Sequence, residues 1–390
     1  MQFTAPDGGK WIPLSDDHGL PENLRREGAY IPPQLPRDLV LAPATHRRAA
    51  MAEHALGRLD EATIRLSAHD GFIRSAKVRD AQRSANLTGR RISLLEALVA
   101  DLLREQGSTK RPDLLPKIVP FLRAYDVGLE RVRAGARVDV DLLCELGAIM
   151  TGRTSGGLLR TEHGTVGNGK IEPYLVTAAG PHLVPMLTEW SDWVCGPTDQ
   201  PRIVHLAVAH HRLEVLQPVP TANGHIARTF SMLELVRLGM LHDQLLPLSV
   251  WLDDSLDEYR QHIREVVDTG RLDGWVGFFA TAVHDQALAQ LRLIDRLQQL
   301  TQRLGQGLSP TGTAAKVVRD VVGFPVTNHR AIEEKYDVST KYATDVTRKL
   351  QNMGVLKPWE ARRYNKIFYC EDALKLWRLN SRGTAQPRRA

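Results

Sequence analysis

Hydrophobic positions recur at helical spacing along most of this 390-residue chain. Ala49, Ala52, Leu56 and Leu59 fall on one face of a helix, with Thr45 in place as its N-cap. A second helix is expected from about Ile73 to Asn86. A third opens at Ser93, where Ser93 and Glu96 form a capping-box pair. From Asp113 onward helical segments alternate with short loops. The glycine-rich stretch from Gly152 to Gly180 breaks the period and reads as a loop or a short hairpin, with Gly167-Asn168-Gly169 as its turn signal. Helices resume after Pro181 and run to about Leu304, broken at QPVPTANG. The expected spans there are about His225–Leu238, Ser255–Asp268 and Leu272–Leu304.

Two segments depart from this pattern. Residues 1–44 hold seven prolines, which fit neither a helix interior nor a central strand, so an extended arm across the body is expected. After the linker GQGLSPTGT comes a helix (TAAKVVRDVV), then a short helix and turn (TNHRAIEEKYDV). Ser339 then caps STKYATDVTRKLQNMG, and two short strands flank a basic turn. The fold class is mainly α.

Composition adds limits. With 43% hydrophobic and 25% charged residues, an ordinary globular core is expected. No apolar run reaches the roughly 18 residues of a membrane span. The first residues, MQFTAPDGGKW, do not read as a signal peptide. Cys144, Cys195 and Cys370 are too scattered for a disulfide framework or zinc cluster. A cytoplasmic protein without a membrane partner is expected. The net charge is +6, yet residues 309–390 carry 16 Lys and Arg against 8 Asp and Glu. Such concentration suits a polyanionic partner, or a solubilising surface.

The candidate chemistry lies where helix, tight loop and helix meet. Asn223-Gly224 favours a turn, the next helix starts with free N–H groups, and Arg228 stands in its first turn. Those are the parts of an anion site, and also of many ordinary helix starts. His210 and His211 are adjacent, point to different faces and cannot grip one metal. No HExxH pattern and no P-loop occur.

Residues 217–228, QPVPTANGHIAR, resemble the motif H-P-F-x-[DE]-G-N-G-R-x-x-R of the Fic (filamentation induced by cAMP) family. Pro218, Asn223, Gly224 and Arg228 agree; Gln217, Val219, Thr221, Ala222 and His225 differ. Glu214 in AVAHHRLEVL, GLLR at 157–160, PLSVWLDDSLDEYRQHI, GWVGFFATAV, YIPPQLP and ALGRLD extend the resemblance over nearly the whole chain. It implies an arm and Fic-associated helical region at 1–110 and a Fic core with a small β-hairpin flap at 111–304. A winged helix-turn-helix follows at 305–380, with a disordered basic tail at 381–390.

The family transfers AMP from ATP with Mg²⁺, and the resemblance assigns roles to the differing positions. The general base is replaced by Gln217, whose amide does not titrate. The metal-holding carboxylate is replaced by Thr221, the first loop glycine by Ala222, and a phosphate-pairing arginine by His225. Family-type AMP transfer is therefore not expected. Thr221, Ala222, Asn223, Gly224 and Arg228 remain as ligand-binding positions. ATP and Mg²⁺ are what the family would use; no cofactor is assigned.

The family's inhibitory pattern [ST]-x-x-x-E-[GN] is matched by Ser84 to Gly89, with Thr88 in place of Glu. Arg228 is then left without an acid from that helix, free for an anion or for surface carbonyls. A protein partner at the flap is expected by strand addition, and a homodimer is left open. In a winged helix, Lys341, Tyr342, Thr344 and Arg348 would face DNA, with Arg362, Arg363 and Lys366 on the wing. The alternatives are a non-standard enzyme acting on a phosphate-containing substrate through Gln217, Asn223, His225 and Arg228, or residual AMP transfer.

Overall fold

The computed structural model describes residues 9–14, 20–66, 68–109, 111–153, 159–167, 172–360 and 366–379. The first half runs β1 (Lys10–Ile12), α1 (Glu22–Glu27), β2 (Ala29–Ile31), α2 (Pro43–Ile64), α3 (His69–Leu87), α4 (Leu94–Glu105), α5 (Leu115–Arg133), α6 (Val140–Thr151), β3 (Gly164–Val166) and β4 (Leu175–Thr177). It continues with α7 (Leu183–Cys195), α8 (Arg202–Leu216), α9 (Asn223–Arg237), α10 (Leu248–Asp254), α11 (Leu256–Thr269) and α12 (Asp273–Leu304). The C-terminal elements are α13 (Thr313–Gly323), β5 (Val326–Asn328), α14 (His329–Tyr336), α15 (Thr340–Asn352), β6 (Lys357–Pro358), β7 (Ile367–Tyr369) and α16 (Glu371–Trp377). The fold is mainly α. Among the described residues, no helix is long and apolar enough to cross a membrane.

Several helix starts follow local chemistry. At α4 the Ser93–Glu96 capping box forms, and Ser339 caps α15 through the Tyr342 N–H. The start of α2 corrects the sequence reading: Pro43 occupies the first turn, where a missing N–H costs nothing, and Thr45 is a buried helical residue rather than the cap. The expected face of Ala49, Ala52, Leu56 and Leu59 is fully buried, with α2 lying along α12.

The glycine-rich stretch forms the hairpin β3–β4; its Gly-Asn-Gly turn extends beyond the described residues at Asn168. The arm is more structured than its prolines suggest. It supplies β1 and β2, with its six described prolines outside the strands, and the sheet order is β1-β2-β4-β3. Strand β2 runs parallel to β4, with Tyr30 opposite Thr177.

The C-terminal elements continue the main core. Phe72 packs on Trp377 with ring centroids 5.2 Å apart, and the Ser75 hydroxyl donates to the Gly323 carbonyl at 2.7 Å. The amides of Gln106 and Asn328 exchange hydrogen bonds at 3.0 and 2.9 Å. Helix α3 thus touches the C-terminal unit at one end and reaches the candidate site with the other.

Candidate functional site: an arginine-lined cavity

A cavity of about 600 Å³ opens between the end of α3, helices α5, α6 and α11, the hairpin, and the α8–α9 loop. The loop is held in a tight shape. Gln217 closes α8 with φ of 46°, and Ala222 precedes α9 with φ of 71°. Both are left-handed positions that disfavour residues other than glycine. The Asn223 amide locks the turn: its oxygen accepts from the Val219 N–H at 2.8 Å, and its nitrogen donates to the Val219 carbonyl at 2.6 Å. Asn223 therefore shapes the loop with both ends of its side chain.

Buried Arg160 ties this loop to the hairpin. It donates to the carbonyls of Gln217 (2.6 Å), Leu216 (2.8 Å), Ala178 (2.6 Å) and Glu162 (2.7 Å), and to the Thr177 hydroxyl (2.8 Å). Burial lowers its pKa to about 10, so it stays charged at neutral pH.

Two hydrogen-bonded chains meet at Arg228. On one side, Arg228 Nε donates to the Ser84 hydroxyl at 2.9 Å. Ser84 stands 2.8 Å from His225 Nδ1, and His225 Nε2 stands 3.3 Å from the Thr88 hydroxyl, which donates to the Ala85 carbonyl. The protons can be counted: Thr88 spends its proton on the Ala85 carbonyl, so it accepts from Nε2–H, and Nδ1 of the neutral ring accepts from the Ser84 hydroxyl. His225 is also stacked on Phe121, centroids 4.0 Å apart. Burial, then Arg228 and Arg90, holds its pKa well below the usual value. His225 is neutral near pH 7, with both nitrogens taken.

On the other side, Arg228 Nη1 lies 3.5 Å from the Glu214 carboxylate. Tyr259 donates to Glu214 at 2.8 Å and stands 2.8 Å from His210 Nε2. Burial raises the Glu214 pKa, against the pull of Arg228 and Tyr259. Arg228 thus has an acidic partner after all. It comes from α8, not from the end of α3, and the carbonyl it reaches, Ser84 at 3.3 Å, is buried rather than at the surface.

Gln217 is buried, and its amide nitrogen donates to the Glu214 carbonyl at 2.7 Å. Thr221 lines the cavity from an exposed position. Gly224 lies against the Arg228 guanidinium: a Cβ there would sit 2.9 Å from Nη1 and push that group aside. The inhibitory-pattern residues Ser84 and Thr88 reach the site, whereas Gly89, with φ of 81°, serves to end α3.

Comparison with solved structures identifies this architecture. A crystal structure of a Fic family protein from Desulfovibrio desulfuricans matches with a TM-score of 0.55 at 14% identity, covering 86% of this chain and 98% of that one. The chain has the Fic fold. Fic-1 from C. elegans gives a TM-score of 0.47 at 15% identity, over 65% of this chain and 75% of that one. A Fic domain containing signaling protein from Bacteroides thetaiotaomicron gives 0.45 at 16% identity, over 63% and 98%. No protein-family model and no curated protein matches the sequence.

Within this Fic fold the donor set does not suit Mg²⁺. The loop offers the Thr221 hydroxyl and no carboxylate. Among the described residues the cavity's one acid is Glu214, already engaged by Tyr259 and Arg228. Four arginines line the same space: Arg90, Arg153, Arg228 and Arg260. Arg90, Arg153 and Tyr259 were not singled out in the sequence. Arg90 had one available signal, its place directly after Thr88-Gly89.

The described DNA candidates are not among the cavity's lining residues. Lys341, Tyr342, Arg348 and Lys366 are exposed. Thr344 is half-buried and donates to the Thr340 carbonyl at 2.8 Å, and Arg348 pairs with Asp345 at 3.0 Å. Arg362 and Arg363 fall outside the described residues.

Proposed function

We propose that this Fic-fold chain is a regulatory protein that holds a phosphate-bearing anion in its cavity, contacts DNA through its C-terminal unit, and does not transfer AMP by the family's route. One observation carries the reading. At the position where a proton acceptor is required, the Gln217 amide is tied to the Glu214 backbone, in a cavity lined by four arginines. An amide cannot take the acceptor's proton near pH 7. The loop also lacks the acid that would hold a metal against phosphates.

The order helix, strand, helix, helix, strand, strand in α13–β7 supports reading the C-terminal unit as a winged helix-turn-helix. The exposed Lys341 and Arg348 and the basic balance of residues 309–390 support a DNA partner. At the flap, β2 already covers one edge of β4, so a peptide adding as a strand would use β3. An enzyme working through Asn223 and His225 gains little support, since both side chains are fully engaged.

The test is label transfer from α-phosphate-labelled ATP to proteins of a cell extract. The wild-type chain is expected to be silent, and transfer abolished by Arg228→Ala would sink the proposal. The triple change Gln217→His, Thr221→Glu and His225→Arg is expected to raise transfer by about a hundredfold or more. For the C-terminal unit, DNA mobility shifts are expected to weaken with salt. Lys341→Ala should reduce the slope of log affinity against log salt by about 0.9; an unchanged slope would remove that residue from the interface.

A further inference from the structure

We propose that the cavity takes a polyphosphate chain without a divalent cation, clamped by Arg90 and Arg153 at its mouth and by Arg228 and Arg260 within. This rests on the anion-binding reading above and adds a ligand class and two residues. The first ground is charge. Four arginines line one space with a single carboxylate among the described lining residues; Arg228 is paired with that carboxylate, Glu214, and Arg260 lies 3.9 Å from Asp257, so the unpaired positive charge is that of Arg90 and Arg153. In a metal-assisted site a cation neutralises part of the phosphate charge. Here side chains supply that neutralisation, in a planar form that grips phosphate oxygens in pairs.

The second ground is where the two outer arginines stand. Arg90 and Arg153 are exposed and make no ion pair among the described residues. Arg90 follows directly on the α3 segment whose inhibitory pattern would place a glutamate at Thr88. That end of α3 therefore brings positive charge to the cavity, where the pattern would bring negative charge. The Phe121 ring lies 5.6 Å from the Arg90 guanidinium, on the cavity wall. Arg153 lines both this cavity and an adjoining cleft of about 380 Å³ beneath the hairpin, so it stands where a chain would leave the main space. The start of α9 adds backbone N–H groups on the inner side. Leu87, Pro116, Pro120 and Met150 give the cavity an apolar wall, suited to the nucleoside end of a polyphosphate-bearing small molecule.

Calorimetry on the full chain tests this with ATP and with sodium tripolyphosphate, each in EDTA and in excess Mg²⁺. Both probes are expected to bind in EDTA and to bind several-fold more weakly in Mg²⁺, because the metal occupies the oxygens the arginines need. Arg90→Ala and Arg153→Ala are each expected to weaken binding by roughly tenfold or more. Both residues are exposed, so neither change threatens folding. Binding that requires Mg²⁺, or variants that bind like wild type, overturn the proposal. ATP binding with tripolyphosphate silent would assign recognition to the nucleoside and overturn it too. Thermal stabilisation by inorganic phosphate, lost in Arg228→Ala, separates the two levels. If that stabilisation is present while both probes fail in EDTA, the clamp is wrong and the anion reading stands. If it is absent as well, both fall.

Discussion

Ala222 is a strained residue. A left-handed backbone costs a side-chain-bearing residue about 1–2 kcal/mol, and glycine escapes most of it at some entropic cost in the unfolded chain. Ala222→Gly is therefore expected to raise unfolding free energy by about 0.5–1 kcal/mol. Urea midpoints at pH 7.5 measure this, and an unchanged or lower midpoint would show that the strain is relieved elsewhere. The same residue scale sets what His225 can do. It is buried, neutral and hydrogen-bonded at both nitrogens, so it fills space beside Phe121 and joins Ser84 to Thr88. The two departures at His225 and Thr88 meet in space.

At the scale of elements, α3 joins the two ends of the molecule. Its first turns carry Gly71, Phe72 and Ser75 against α13 and α16; its last turn carries Ser84, and its C-cap is Thr88, both against α9. The contact with α13 is close: a Cβ on Gly323 would lie 2.9 Å from the Ala68 Cβ and 3.0 Å from its carbonyl oxygen. Gly323→Ala is expected to cost about 1–3 kcal/mol by forcing the two elements apart. A midpoint of urea unfolding equal to wild type would show that the seam gives way without strain. Helix α3 also shows a limit of pattern reading. Its buried residues include Arg79, Asp80, Gln82, Arg83 and Ser84, so no apolar stripe marks it as central. What keeps it buried is partnership: Asp80 with the Tyr125 hydroxyl and the Ser249 N–H, Arg83 with Asp253 and Asp254.

At the scale of the whole molecule, buried histidines tie stability to pH. Burial lowers the pKa of His205 and His211 to about 4 and of His210 to about 3, and that of His225 well below its usual value. The unfolded chain takes up these protons near pH 6.5, the folded chain only at lower pH. Their stabilising effect is thus complete above about pH 6.5 and declines on acidification towards about pH 4. Each adds a slope of up to about 1.4 kcal/mol per pH unit. Asp80 and Glu214, with pKa values raised by burial, act in the opposite sense and offset part of the loss. Chemical denaturation at pH 7.5, 6 and 5 is expected to show a falling midpoint; a flat or rising profile would contradict it.

Helical periodicity determined the mainly helical body, a capping box and a serine cap chose where α4 and α15 begin, and the loop chemistry around Asn223 and Arg228 singled out a candidate site. These features are local, so the sequence expresses them directly. The tertiary structure decided the rest: that β2 of the proline-rich arm would join the hairpin sheet, that Arg160 would hold loop to hairpin, that Arg228 would find Glu214, and that Arg90 and Arg153 would face one cavity. Each of these depends on residues far apart in the chain arriving at one place, and for the buried charges Arg160, Arg228 and Glu214 the folded arrangement holds because each meets a partner there.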